Sequence, residues 1–243
     1  MFNWLLNLFR KPKVEFYPII PQLIDTHPPD NGKKDIIDIF KKIRPTKVNP
    51  DLDYSTKASI KNCPAVVEYY KYGYVIRLWQ DIVVKTSADG HEYTWKSATN
   101  TNVFLTKHLG QDSNFNNEVL HFPKDMYSPW FPRENTLKYI LQIPTRWCIK
   151  LPKGYGALFL PVWYDNENRF TVIPGLLTSG LMEEINVILQ WNKLGIEEVL
   201  KAGTPLVKIV PFKLEKDNTI IRQMTEKDAY LFRKFNLLKG NHF

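Results

Sequence analysis

The sequence is short of the residues that announce the common chemistries. Only 2 cysteines occur in 243 residues, Cys63 and Cys148, far apart and outside any Cys-x-x-Cys pair. That removes a zinc knuckle and a dithiol redox motif, and leaves two buried, reduced thiols as the expectation. Glycine is scarce, 11 against 17 prolines. No Gly-x-x-x-x-Gly-Lys-Ser/Thr or Gly-x-Gly-x-x-Gly loop is present to cradle phosphate, and no Gly-x-Ser-x-Gly elbow to carry a nucleophile. No apolar run approaches the roughly 18 residues that span a bilayer. The N-terminus has neither the basic lead nor the small-residue cleavage site of a signal peptide. A cytoplasmic protein without a transmembrane segment is expected.

Histidine is equally thin. His27, His91, His108, His121 and His242 are the 5 present, and no two share a helix or strand face at ligand spacing. Only His108 and His121, with Asp112 or Asp125, lie on one segment that folding could bring together. Neither a metal nor another cofactor is expected.

What is present is a folded composition, 44% hydrophobic and 24% charged, which excludes a disordered tail, a collagen-like fibre and a coiled coil. The net charge of +8 permits an anionic partner. The surplus is spread along the whole chain, however, and a solvated surface accounts for it as well as a nucleic-acid groove does. Nucleic acid remains the less favoured partner, although Tyr69-Tyr70-Lys71-Tyr72 and residues 150–155 do interleave bases with rings as a stacking platform would. Aromatics reach 14%, pointing to β-strands joined by stiff, irregular loops.

Residues 1–13 read as a separate docking peptide. Phe2, Leu5, Leu6 and Phe9 fall on one helical face with Trp4 and Leu8 beside it, and a basic stop with Pro12 follows. A patch this apolar must be covered by its own core, by another chain or by a membrane surface. Residues 14–134 form an N-terminal part: a strand at 14–17, an amphipathic helix over 32–43, a second from Pro64 to Gly73, strands at 74–79 and 82–84, and a hairpin turn at Ala88-Asp89-Gly90. Residues 110–134 read as an ordered loop.

Residues 135–215 form a β-rich core with strands at 137–143, 147–151, 157–162, 170–173, 184–191 and 205–212. Turns are marked by Pro144, Gly154, Pro174-Gly175, Gly195 and Gly203. Residues 216–243 end in a helix capped by Thr225 with Asp228 three residues on. Residues 14–243 are expected to form one compact domain. The fold class is mainly β, a sandwich or distorted barrel, with a few peripheral helices including a C-terminal one.

No nucleophile–base pair stands out. Cys63 before Pro64 could use a helix N-terminus to lower its pKa, but a structural thiol is the simpler reading. The recurring turns instead carry a resemblance. Trp147 to Gly156, Pro174-Gly175-Leu176-Leu177 and Gly203-Thr204-Pro205 to Lys213, with Ser59 to Pro64 and Gly73 to Ile76 upstream, resemble a family of uncharacterised proteins encoded by tailed bacteriophages.

The same core is similar in pattern to the dUTPase-like β-clip fold. On that likeness the position of the water-activating aspartate falls on Thr178, that of the base-stacking tyrosine on Leu181, and a glutamine of the last motif on Lys208. The arginine–serine–glycine phosphate clamp has no counterpart in Pro161-Val162-Trp163-Tyr164. Without a base and a clamp, the resemblance implies a scaffold stripped of its chemistry.

The expected function is a non-enzymatic phage virion structural or interaction protein, present in the host cytoplasm and then in the particle. It would assemble with copies of itself or other phage structural proteins through Phe2, Trp4, Leu5, Leu6, Leu8 and Phe9. The alternative is a catalytically dead, dUTPase-like nucleotide or nucleic-acid binder with a vestigial pocket at Thr178, Leu181 and Lys208.

Overall fold

The computed structural model describes residues 13–31, 33–42, 63–97, 120–123, 133–163, 167–178, 183–215, 223–231 and 234. The chain is mainly β, with every strand pair antiparallel. It opens with β1 (Glu15–Pro18), a short helix α1 (Leu23–Thr26), helix α2 (Lys33–Lys42) and helix α3 (Pro64–Lys71). There follow β2 (Tyr74–Arg77), β3 (Ile82–Thr86), β4 (Tyr93–Ser97), β5 (Leu120–Pro123) and β6 (Tyr139–Lys150). The remaining strands are β7 (Tyr155–Leu160), β8 (Phe170–Val172), β9 (Gly175–Thr178), β10 (Glu183–Trp191), β11 (Glu197–Leu200) and β12 (Pro205–Lys213).

Three sheets result, ordered β1-β6-β10-β8, β11-β3-β4 and β2-β12-β7-β9, with β5 pairing β6 beyond β1. Each sheet takes strands from both sides of residue 135, so the N-terminal and C-terminal halves are interleaved. One continuous core joins them, including Leu78, Ile82, Trp147, Leu189, Trp191 and Val207.

Several strands differ from the sequence expectation. Pro144 was expected to end a strand, yet β6 runs through it for 12 residues. The ladder accommodates the proline with a bulge, since Glu184 opposes Cys148 while Asn186 opposes Pro144. Arg146 takes φ +63° there, the Thr145 hydroxyl donates to the Ile185 carbonyl at 2.8 Å, and the Arg146 amide donates to Glu184 Oε1 at 3.3 Å. Side chains thus take over the polar groups that the broken ladder releases.

β5 lies inside the stretch expected to be a loop, pairing Phe122 with Ile140. β9 begins at the expected Pro174-Gly175 turn, and β11 and α1 carry no clear periodicity. The C-terminal expectation matches at its start. Residues 226–231 are helical, and the Thr225 hydroxyl donates to Asp228 Oδ2 at 2.6 Å while accepting from the Asp228 amide at 3.3 Å.

The two thiols differ from the expected burial. Cys63 is exposed and Cys148 half-buried, with burial and then the Glu184 carboxylate raising the Cys148 pKa.

Candidate functional site

Three prolines open a cavity. Pro161 after β7, Pro174 after β8 and Pro205 at the start of β12 have no N–H to give a ladder, so pairing stops where these segments meet. The space they leave is about 520 Å³, within the range of roughly 300–1,000 Å³ typical of small-molecule sites. Its walls are mostly apolar. Phe170, Val172 and Ile173 come from β8 and its extension, Val162 and Trp163 from the lip after β7, and Leu206 from β12. Trp163 is 59% exposed, so a large aromatic face stands at the mouth.

The lip is tied down from outside. Helix α3 buries Val66 and Tyr70, one turn apart. The Tyr69 hydroxyl donates to the Pro161 carbonyl at 2.5 Å, and the Tyr70 hydroxyl donates to the Trp163 carbonyl. The two rings meet edge to face at 5.4 Å. Lys208 is fully buried beneath them, its Nζ 4.7 Å from the Tyr69 ring centroid and 5.4 Å from that of Tyr70. Desolvated cation–π contacts of this kind contribute about 2 kcal/mol or more. Gly73 then turns the chain into β2 at φ +84°, where an added Cβ would stand 2.4 Å from the Ile209 carbonyl oxygen.

The charged group on the wall is already engaged. Glu167 receives Arg169 Nη2 at 2.6 Å, Nε at 2.9 Å and the Arg169 amide at 2.9 Å. Burial alone would raise the Glu167 pKa, but these bonds outweigh it and hold the carboxyl below its usual range. Thr171 Oγ1 likewise accepts from Asn192 Nδ2 at 2.9 Å.

Gln190 is different. It is 1% exposed and lines the cavity. The Thr136 hydroxyl gives its single proton to the Arg133 carbonyl at 2.5 Å, so it can only accept from Gln190 Nε2, at 2.8 Å. That fixes the orientation of the amide and leaves Gln190 Oε1 buried without a donor. An unmet buried acceptor costs about 1–3 kcal/mol, a debt that a ligand N–H or O–H removes.

The residues expected from sequence are not gathered here. Thr178 is exposed at the end of β9, opposite Gly156, while Lys208 lies opposite Leu160. Four register positions separate them along β7, about 13 Å, and Lys208 is sealed under α3. Leu181 lies outside the described residues, as do Phe2, Trp4, Leu5, Leu6, Leu8 and Phe9. His108 is outside them too, and the described residues hold no group of three or more His, Cys, Asp or Glu placed for a metal. Cys63 caps α3 without a side-chain hydrogen bond.

Gln190 itself was not singled out from sequence. The signal was a lone amide inside the apolar strand Val187-Ile188-Leu189-Gln190-Trp191. No described helix is long and apolar enough to cross a membrane.

No protein-family model matches the chain, and no curated protein matches it in sequence. Among solved structures it is similar to phage dUTPases. One is the dUTPase of phage phi11 of S. aureus, at 11% identity and TM-score 0.29, covering 45% of this chain and 99% of that one. Another is a mutant dUTPase of Staphylococcus bacteriophage 80alpha with dUpNHpp, at 9% identity and TM-score 0.34, covering 88% and 90%. At those TM-scores the likeness carries no argument, and the antiparallel architecture rests on the strand pairing itself.

Proposed function

We propose that the protein binds a neutral ligand in this cavity and performs no chemistry on it. The ligand has an apolar, flat body and one N–H or O–H donor. The observation that carries this reading is Gln190, a buried amide with an unmet acceptor at an otherwise apolar, aromatic-walled site. An amide is neither a proton acceptor at neutral pH nor a nucleophile, and the nearby carboxylate of Glu167 is occupied by Arg169, so the arrangement favours recognition over catalysis.

A thermal-shift series with neutral aromatic N–H donors, indole first, tests it. Indole should raise the melting temperature of the wild-type chain and leave Val162→Trp, which fills the cavity from the lip, unmoved. Equal shifts in both proteins place the binding elsewhere and contradict the proposal.

A second reading, a structural role in a phage particle, is favoured by a separate observation. Leu158 and Leu176 face each other across β7 and β9 and are 38% and 57% exposed. Leu214 approaches Gly156 on the same sheet. Exposed apolar clusters on an edge strand suit protein contact. Mass spectrometry of purified particles from a phage encoding this chain tests that role, and absence of the chain contradicts it.

A further inference from the structure

We propose that the occupant of the cavity is Trp4 of a second copy of this chain, its indole N–H donating to Gln190 Oε1. This rests on reading the cavity as a binding site and names the partner.

Three observations lead there. First, the cavity calls for a flat apolar body carrying one donor, and an indole is that group. Second, residues 2–9 bring Phe2, Leu5, Leu6, Leu8 and Phe9 around Trp4, an apolar set whose burial favours association. The cavity is large enough to take an indole together with a flanking leucine.

Third, reach separates a second copy from the chain's own cavity. Glu15 pairs with Lys150 at one end of β6, while Gln190 pairs with Ile140 near the other. The separation is about 30 Å along the strand, plus two strand spacings of about 4.8 Å each. From Glu15 back to Trp4, an extended 9–15 and a helical 4–9 span at most about 28 Å. The chain also leaves β1 heading past Lys150, away from Ile140, so the reversal shortens the reach further. The peptide of one molecule therefore meets the cavity of another, a head-to-tail contact.

Two full-length variants test this by complementation. Trp4→Ala keeps the cavity and loses the plug; Gln190→Leu keeps the plug and loses the acceptor. In sedimentation velocity the parent chain should associate with rising concentration. Each variant alone should associate at least about tenfold more weakly, and an equimolar mixture should recover a heterodimer. Val162→Trp in place of Gln190→Leu should give the same result if the latter fails to fold.

A parent chain that stays monomeric, or a Trp4→Ala chain that associates like the parent, overturns the inference. Indole titrated into Trp4→Ala separates the two levels. Binding that Gln190→Leu abolishes, with no self-association, leaves the cavity reading standing and makes the occupant a small molecule. No binding of indole removes both.

Discussion

Replacing Gln190 with leucine should not destabilise the fold, although the residue is 1% exposed and inside the principal sheet. The two side chains are close in volume and shape, so no sizeable cavity or overpacking is created. Two terms then compete. The lost bond from Nε2 to Thr136 Oγ1, at 2.8 Å, costs about 0.5–1.5 kcal/mol, and removing the donorless Oε1 recovers about 1–3 kcal/mol. The net is a stability between about unchanged and 2 kcal/mol higher.

For a chain of this length that corresponds to a rise of up to about 2–4 °C per kcal/mol in Tm. Urea denaturation of dilute protein reads it as a midpoint shift at constant slope. Thr136→Val is the informative partner, since it strips the same amide of its remaining bond and should lower stability by about 1–3 kcal/mol. A loss of more than about 1 kcal/mol in Gln190→Leu would refute the reasoning, because it would mean that Oε1 is satisfied within the fold.

Four further outcomes follow. Gly73→Ala should cost about 1–3 kcal/mol, read by thermal denaturation, because a Cβ meets the Ile209 carbonyl at 2.4 Å and φ is +84°; an unchanged Tm contradicts so close an approach of the turn to β12. Tyr69→Phe and Tyr70→Phe should each cost about 0.5–1.5 kcal/mol and weaken indole binding, since both hydroxyls hold the lip; full affinity in the double variant would show that the latch is dispensable.

Glu167 has its folded pKa below the ordinary 4.5, so the unfolded chain protonates first. Its contribution is complete above that pH and is lost as pH falls below it. Glu167→Gln should therefore flatten the acid side of a stability profile; an identical slope contradicts the pair. Tyr93 is pushed up to about 12 by burial, then by Tyr139, so Tyr93→Phe should remove the latest-ionising phenol from an ultraviolet titration rather than an early one.

The β-rich class and many strand positions were legible in the sequence because β-branched and aromatic runs with turn residues between them report directly on half-buried strands. Three features were not. The passage of β6 through Pro144 depends on the Thr145 hydroxyl and the Glu184 carboxylate, the latter 38 residues away from Arg146, which no local pattern contains. β5 and β11 are short strands, 4 residues each, held by pairing with longer partners, so their own periodicity is weak.

The cavity, finally, is a product of where three separated prolines end their ladders. The motif likeness drew attention to Thr178 and Lys208, which the register places on one strand neighbour but about 13 Å apart. Gln190 was visible as a polar exception in an apolar run, yet only the Thr136–Arg133 hydrogen bond shows that its oxygen faces no donor.

The central claim is that the cavity beside Gln190 takes a flat, neutral hydrogen-bond donor. A methyl-resolved NMR titration of the full chain with indole tests it most directly. The account predicts saturable shifts confined to methyls on the cavity wall, Val162, Val172, Ile173 and Leu206, and their loss in Gln190→Leu. Shifts centred on Leu158 and Leu176, or shifts that survive unchanged in Gln190→Leu, would contradict it.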